Sequence, residues 1–262
     1  MRGVRLQLEY EKAEERLRAW VVRSTIVVFG SARVLPRGSS RAAASKAALS
    51  SGAEPRRGDQ SARWYEEARR FGRIASERGG ALRPRDGARD NLIATGGGPG
   101  IMEAANRGAR DAGGKTIGLN IRLPFEQYPN QYITPELNFE FHYFFMRKYW
   151  FAYMAKALVV FPGGFGTLDE FFEILTLAQT HKLAKKILVI VYGKEYWNRV
   201  LNLEALADAG TISPEDVNGF TMVDTPEEAF EVLKEGLTKY HLQPQPAKQA
   251  AEEGPEIAKT LP

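Results

Sequence analysis

LVVFPGGFGTLDEFFEILTL, Leu158 to Leu177, packs three pieces of one folding unit into a short span. Leu158 to Phe161 is an unbroken apolar run of the length a strand buried on both faces would have. Pro162, Gly163 and Gly164 stop it. From about Leu168 to Lys182 apolar residues return at helical spacing, with Leu168, Phe171, Phe172, Leu175 and Ala178 forming one stripe. A strand that passes through a glycine turn straight into a helix is the repeating unit of parallel α/β sheets. The turn allows two readings. Glycines let a backbone approach a ligand closely, and the N–H groups at a helix start attract phosphate. Alternatively Thr167-Leu168-Asp169-Glu170 is a capping box, with Glu170 reaching back to the Thr167 N–H and lying with Glu173 opposite the apolar stripe. Spacing alone leaves both open.

The same unit recurs along the chain. Thr25 to Phe29 is a β-branched run closing on Gly30-Ser31. Asn91 to Thr95 runs into Gly96-Gly97-Gly98-Pro99-Gly100, with Pro99 suited to a first helical turn and Gly113-Gly114 to a stop. Further strands are expected in KTIGLNI, KILVIVYG and FTMVD. Helices are expected in RWYEEARRFGRIASERGG, Tyr143 to Ala157, KEYWNRVLNLEALADAG and TPEEAFEVLKEGLTKY. Strands alternating with helices predict a doubly wound parallel sheet with helices on both faces, in a single domain spanning 23–242. Residues 1–22 read as an amphipathic helix or arm. Residues 37–62, low-complexity Ala/Ser/Gly/Arg, read as a flexible insertion that could hold a short helix, and 243–262 as a disordered tail. Ligands of such sheets bind beyond the strand C-termini, where three glycine turns would converge.

Composition narrows the partners. The 262 residues are 44% hydrophobic and 26% charged, ordinary for a globular protein. No apolar run is long enough for a membrane span, and the N-terminus has no signal-like core. There are no cysteines, which excludes disulfides and thiolate metal sites and is compatible with a cytoplasmic location. The net charge of +4 is uneven: residues 1–90 carry 20 basic against 11 acidic side chains, and 91–262 carry 16 against 21. The basic excess lies outside the glycine-rich segment, much of it in Arg37 to Arg63, where no aromatic residues interleave to stack on bases, which argues against a nucleic-acid partner.

Neither glycine turn is a Walker loop, since no Lys-Ser or Lys-Thr follows, and neither is a strict GxGxxG. His142, His181 and His241 form no spaced pair, and no acidic cluster has ligand spacing, so no metal and no cofactor are expected. Arg147 stands among Phe144, Phe145, Met146, Tyr149, Trp150 and Phe151. A guanidinium there either meets an anion or snorkels to water, as Lys148 and Lys156 also could.

Together GGGPGIMEAANRGA, FFMRK and PGGFGTLDEFFE resemble the LONELY GUY (LOG) family, whose members were long labelled "possible lysine decarboxylase". The resemblance runs from about Thr25 to Tyr240, and GLNIRLPFEQ and FHYFFMRK are similar to its longer bacterial branch. It implies a Rossmann-like fold, at least a homodimer, and hydrolysis of the N-glycosidic bond of a nucleoside 5′-monophosphate, AMP or a cytokinin riboside monophosphate. It implies that Arg147 and Glu170 are the catalytic pair. It also implies that Gly30, Ser31, Gly97, Gly98, Gly100, Met146, Lys148, Gly163, Gly164, Gly166 and Thr167 line the substrate. Asp169 and Glu173 are candidates for protonating the leaving base. Two other functions fit the same sequence: a non-catalytic carrier of a nucleotide or of molybdenum cofactor, and a pyridoxal-phosphate decarboxylase using Thr180-His181-Lys182. The second is disfavoured because that fragment ends a helix and the chain is short for the class.

Overall fold

The computed structural model describes residues 1–38, 56–124 and 128–242. Most of the expected insertion and all of the expected tail lie outside the described residues. Seven strands form one sheet: β1 (Thr25–Phe29), β2 (Leu92–Thr95), β3 (Thr116–Ile121), β4 (Asn138–Phe141), β5 (Ala155–Val160), β6 (Leu188–Tyr192) and β7 (Thr221–Val223). All neighbours pair in parallel, in the order β4-β3-β2-β1-β5-β6-β7. The chain therefore walks outward from β1 to β4, returns to lay β5 beside β1, and walks out the other way. The topological switch point lies between β1 and β5, where loops leave the sheet in opposite directions and open a crevice.

Eight α-helices accompany the described strands: α1 (Arg2–Ala19), α2 (Arg56–Arg78), α3 (Ile101–Asp111), α4 (Phe144–Met154), α5 (Phe165–Gln179), α6 (Lys194–Val200), α7 (Glu204–Asp208) and α8 (Pro226–Leu237). The outward and return walks put crossovers on opposite faces. Side-chain alternation in the strands feeds two cores. Ile26, Val28 and Val159 pack with α2, α3 and α8, while Val27, Phe29, Leu158 and Val160 pack under α1, α4 and α5. The central strands are buried except at Lys156, which is why they read as continuous apolar runs. Among the described residues no helix is long and apolar enough to cross a membrane.

Several expected boundaries move. Helix α2 begins at Arg56, inside the stretch read as an insertion, and its apolar positions Tyr65, Ala68 and Phe71 are fully buried. Helix α4 ends at Met154, three residues early, because Ala155 is already paired in β5. The helix expected after Gly193 is two short ones, separated by Leu201 to Leu203. Pro99 lies before α3, whose N-cap is Gly100. Thr180-His181-Lys182 is the terminating turn of α5: His181 takes φ +53° and the Lys182 N–H closes onto the Leu177 carbonyl at 2.9 Å.

Candidate active site

The three glycine turns meet at the switch point. Ser31 ties two of them together. Its N–H donates to the Pro162 carbonyl at 2.9 Å and its own carbonyl accepts from the Ile101 N–H at 3.1 Å. Gly30 and Gly100 are demanded by this clamp. A Cβ on Gly30 would stand 2.6 Å from the Ile101 side chain, and Gly100 has φ +74° and lies against Ser31 and Ala32. Gly97 is fixed too: φ is +73°, a Cβ would run into Asn120, and its N–H donates to Thr95 Oγ1 at 3.0 Å. Gly97 and Ser31 therefore serve the turn's shape, their N–H groups already taken.

Gly163 packs so closely on Thr167 and Ser31 that a Cβ would collide with both. At Gly164 and Gly166 a Cβ would meet nothing within 4 Å. The protein's own packing thus has no use for glycine at these two positions. Helix α5 starts at Phe165 with Gly164 as N-cap and no side-chain cap. The Thr167 and Leu168 N–H groups bond to the Gly164 carbonyl at 2.9 and 3.0 Å, whereas those of Gly164, Phe165, Gly166, Gly98 and Gly100 find no acceptor among the described residues. Unpaired donors at two helix starts beside room left by absent side chains make a cradle for an oxyanion. The Tyr196 hydroxyl donates to the Gly163 carbonyl at 2.8 Å and steadies the loop.

The capping-box reading of Glu170 is corrected by this geometry. Thr167 is already in the third helical position and buried, and Glu170 is 3% exposed rather than facing solvent. The apolar stripe of α5 is wider than spacing suggests because α4 lies across it and brings Arg147 over Glu170. Arg147 Nη2 donates to Glu170 Oε1 at 3.2 Å, with the guanidinium side chain only 12% exposed and held between Phe144 and Phe151, 5.1 and 5.9 Å from their ring centres. Its Nε–H is buried without a partner. The snorkelling alternative is thus closed.

Burial pushes the Glu170 carboxyl up to about 7, against the pull of Arg147 and Lys148 and with a further push from Glu173 and Asp169. Burial also lowers the Arg147 guanidinium from its ordinary value, with Glu170 opposing. A carboxyl poised near neutral pH beside a cation is suited to exchanging a proton. Lys148 has a different job: its ammonium bridges Asp169 at 2.9 Å and Glu173 at 2.7 Å, tying α4 to α5. That bridge also engages both acids considered for protonating a leaving group. Met146 is half-buried and packs against the core under α4. Among the described residues no group of three or more acidic or histidine side chains could hold a metal.

Sequence reasoning missed four polar residues that shape the site. Thr95, Asn106 and Asn130 form a chain behind the Gly97 turn. Glu9, from α1, accepts the N–H groups of His142 at 3.0 Å and Tyr143 at 3.4 Å, capping the helix that carries Arg147.

A doubly wound sheet with a charged pair beside an oxyanion-type cradle at its switch point defines an α/β protein with a ligand crevice of the Rossmann-like kind. Comparison with known proteins makes the assignment specific. The family model described as "Possible lysine decarboxylase" matches residues 102–233, half of the chain, and the protein belongs to this family. It is similar to a cytokinin riboside 5′-monophosphate phosphoribohydrolase of Rhodococcoides fascians, with 32% identity over 150 residues that cover 55% of this chain and 72% of the relative. A probable enzyme of the same name in Oryza sativa subsp. japonica is 29% identical over 163 residues, covering 58% of this chain and 71% of the relative. A solved molybdenum-cofactor carrier protein from Chlamydomonas reinhardtii overlaps with a TM-score of 0.49 at 19% identity, covering 83% of this chain and 99% of that one.

Proposed function

We propose that the protein hydrolyses the N-glycosidic bond of a nucleoside 5′-monophosphate, AMP or a cytokinin riboside monophosphate, releasing the free base and ribose 5-phosphate. The observation that carries this reading is the buried pair of Arg147, from α4, with Glu170, on the helix that starts at the glycine cradle. The names of the two curated relatives point the same way.

In this reading the 5′-phosphate sits on the unpaired N–H groups of Gly98, Gly100, Gly164, Phe165 and Gly166. Glu170, one to two turns along α5, faces the ribose. Breaking the bond from C1′ to the base nitrogen builds positive charge on the ring, and a fixed carboxylate stabilises it. Water adds to C1′, one of its protons passes to Glu170, and the departing nitrogen takes up a proton. A carboxyl near neutrality can accept and return one in the same cycle. Arg147 holds the carboxylate in line.

The half-exposed Phe144 and Phe145 and the fully exposed Phe165 support a homodimer or higher homo-oligomer covering this face, which size-exclusion chromatography with light scattering would test. We place the reaction in the cytoplasm, where nucleoside monophosphates are made and used.

The decisive experiment incubates the protein and its Glu170→Gln variant with nucleoside 5′-monophosphates and the matching nucleosides, then resolves free bases by chromatography. Base release from monophosphates only, reduced about 10²- to 10⁴-fold in the variant, is expected. Tight binding with no release would make the protein a carrier instead.

A further inference from the structure

One side chain holds the β2–α3 glycine turn from behind. Asn130 lies in the irregular segment between β3 and β4, far from the turn in sequence. Its backbone N–H donates to the Gly97 carbonyl at 2.8 Å. Its Nδ2 reaches the carbonyls of Gly97 and Gly98, each at 3.1 Å, and Asn106 Oδ1 at 3.0 Å. Its Oδ1 accepts from the Tyr132 N–H at 3.1 Å, so both ends of the amide are engaged and its orientation is fixed. Asn106 is fully buried and accepts in turn from Thr95 Oγ1 at 2.7 Å, which itself receives the Gly97 N–H.

The consequence is directional. A trans peptide points its C=O and N–H to opposite sides. Drawing the Gly97 carbonyl toward Asn130 therefore turns the Gly98 N–H away from it, and that N–H has no acceptor among the described residues. Only a donor can do this: a carboxylate at the same place would face three oxygens and push both carbonyls away.

We propose that Asn130 is a positioning residue that aims the Gly98 N–H at the phosphate of the substrate, and so sets the preference for 5′-monophosphates over nucleosides. The inference rests on the function proposed above.

To test it, AMP and adenosine are titrated calorimetrically into the full chain carrying Glu170→Gln, so that bound nucleotide is not consumed, with and without N130D or N130S. The parent is expected to prefer AMP. Either Asn130 substitution should weaken AMP about 10- to 100-fold while changing adenosine less than about twofold. N130S introduces no charge and carries the test if N130D does not fold. Retention of the AMP preference overturns the role of Asn130 and leaves the function standing. Equal weakening of both ligands also overturns it, since a merely structural residue would act that way. A parent with no AMP preference overturns the proposed function itself.

Discussion

Glu170 and Arg147 are held in a balance that substitutions can tip in known directions. Burial raises the Glu170 carboxyl to about 7, and Arg147 restrains the rise. If the ionised carboxylate is the working form, the rate climbs with pH around 7. Arg147→Met should move that midpoint upward, read from the pH dependence of kcat/KM. The same shift bears on stability. Because burial lifts the folded value above the ordinary carboxylate value of 4.5, the stabilising contribution is complete below pH 4.5 and is lost as pH rises through about 7. Gly166 offers a second test. It is helical and has open space where a Cβ would be, so Gly166→Ala should stabilise the fold by up to about 1 kcal/mol in thermal unfolding. The same methyl should weaken AMP binding by obstructing the cradle. Glycine turns are legible in a sequence because glycine declares its backbone freedom directly. The burial of Glu170 was not, because α5 alone cannot say what lies across it. Lys148 matched the family's substrate-binding pattern, yet here it bridges Asp169 and Glu173, a use visible only once α4 and α5 are packed.

At the scale of elements, α4 depends on α1 for its start. Tyr143, the N-cap of α4, has no side-chain cap of its own, and Glu9 supplies the acceptors from outside. Tyr10 reinforces the contact, with its ring centre 5.2 Å from that of Trp150. Glu9→Ala should lower stability by about 1 kcal/mol, as the loss of a helix cap does. It should also reduce turnover more than a stability loss of that size explains, because Arg147 rides on the freed turn. Denaturant titration and steady-state kinetics on one preparation would separate the effects. Continuous apolar runs made the strands readable, and α3 followed from Pro99 before it and Gly113-Gly114 after it. Helix α4 was harder to bound because aromatic residues ring it and no stop residue marks Met154. The capping role of α1 joins residues 133 and 134 positions apart, and no local pattern encodes it.

Across the whole molecule, the glycine-turn edge of the sheet has a counterpart at the strands' N-terminal end. There Asp90 accepts from Arg23 Nε at 3.1 Å and Ser24 Oγ at 2.8 Å, and pairs with Lys156 at 3.2 Å. Burial alone would raise the Asp90 carboxyl, but these partners outweigh it and hold it at about 2. A depressed carboxyl stabilises the fold above its ordinary value of 3.8 and loses that contribution as pH falls through about 2. Asp90→Asn should therefore cost stability at pH 7, on the order of 2 kcal/mol, with the difference from the parent shrinking below about pH 4. Urea titrations at both pH values would measure it.

Strand β5 gives the site a property of its own. Arg147 comes from the helix that runs into β5 with no intervening loop, and Glu170 from the helix that leaves it after a short turn. One central strand, bonded to β1 and β6 and buried between two cores, is thus the ruler between the two charges. Its amides should be among the last to exchange with deuterium. The spacing of the pair is then insulated from the breathing of the outer strands, and motion is left to the glycine turns, where a ligand must enter and leave.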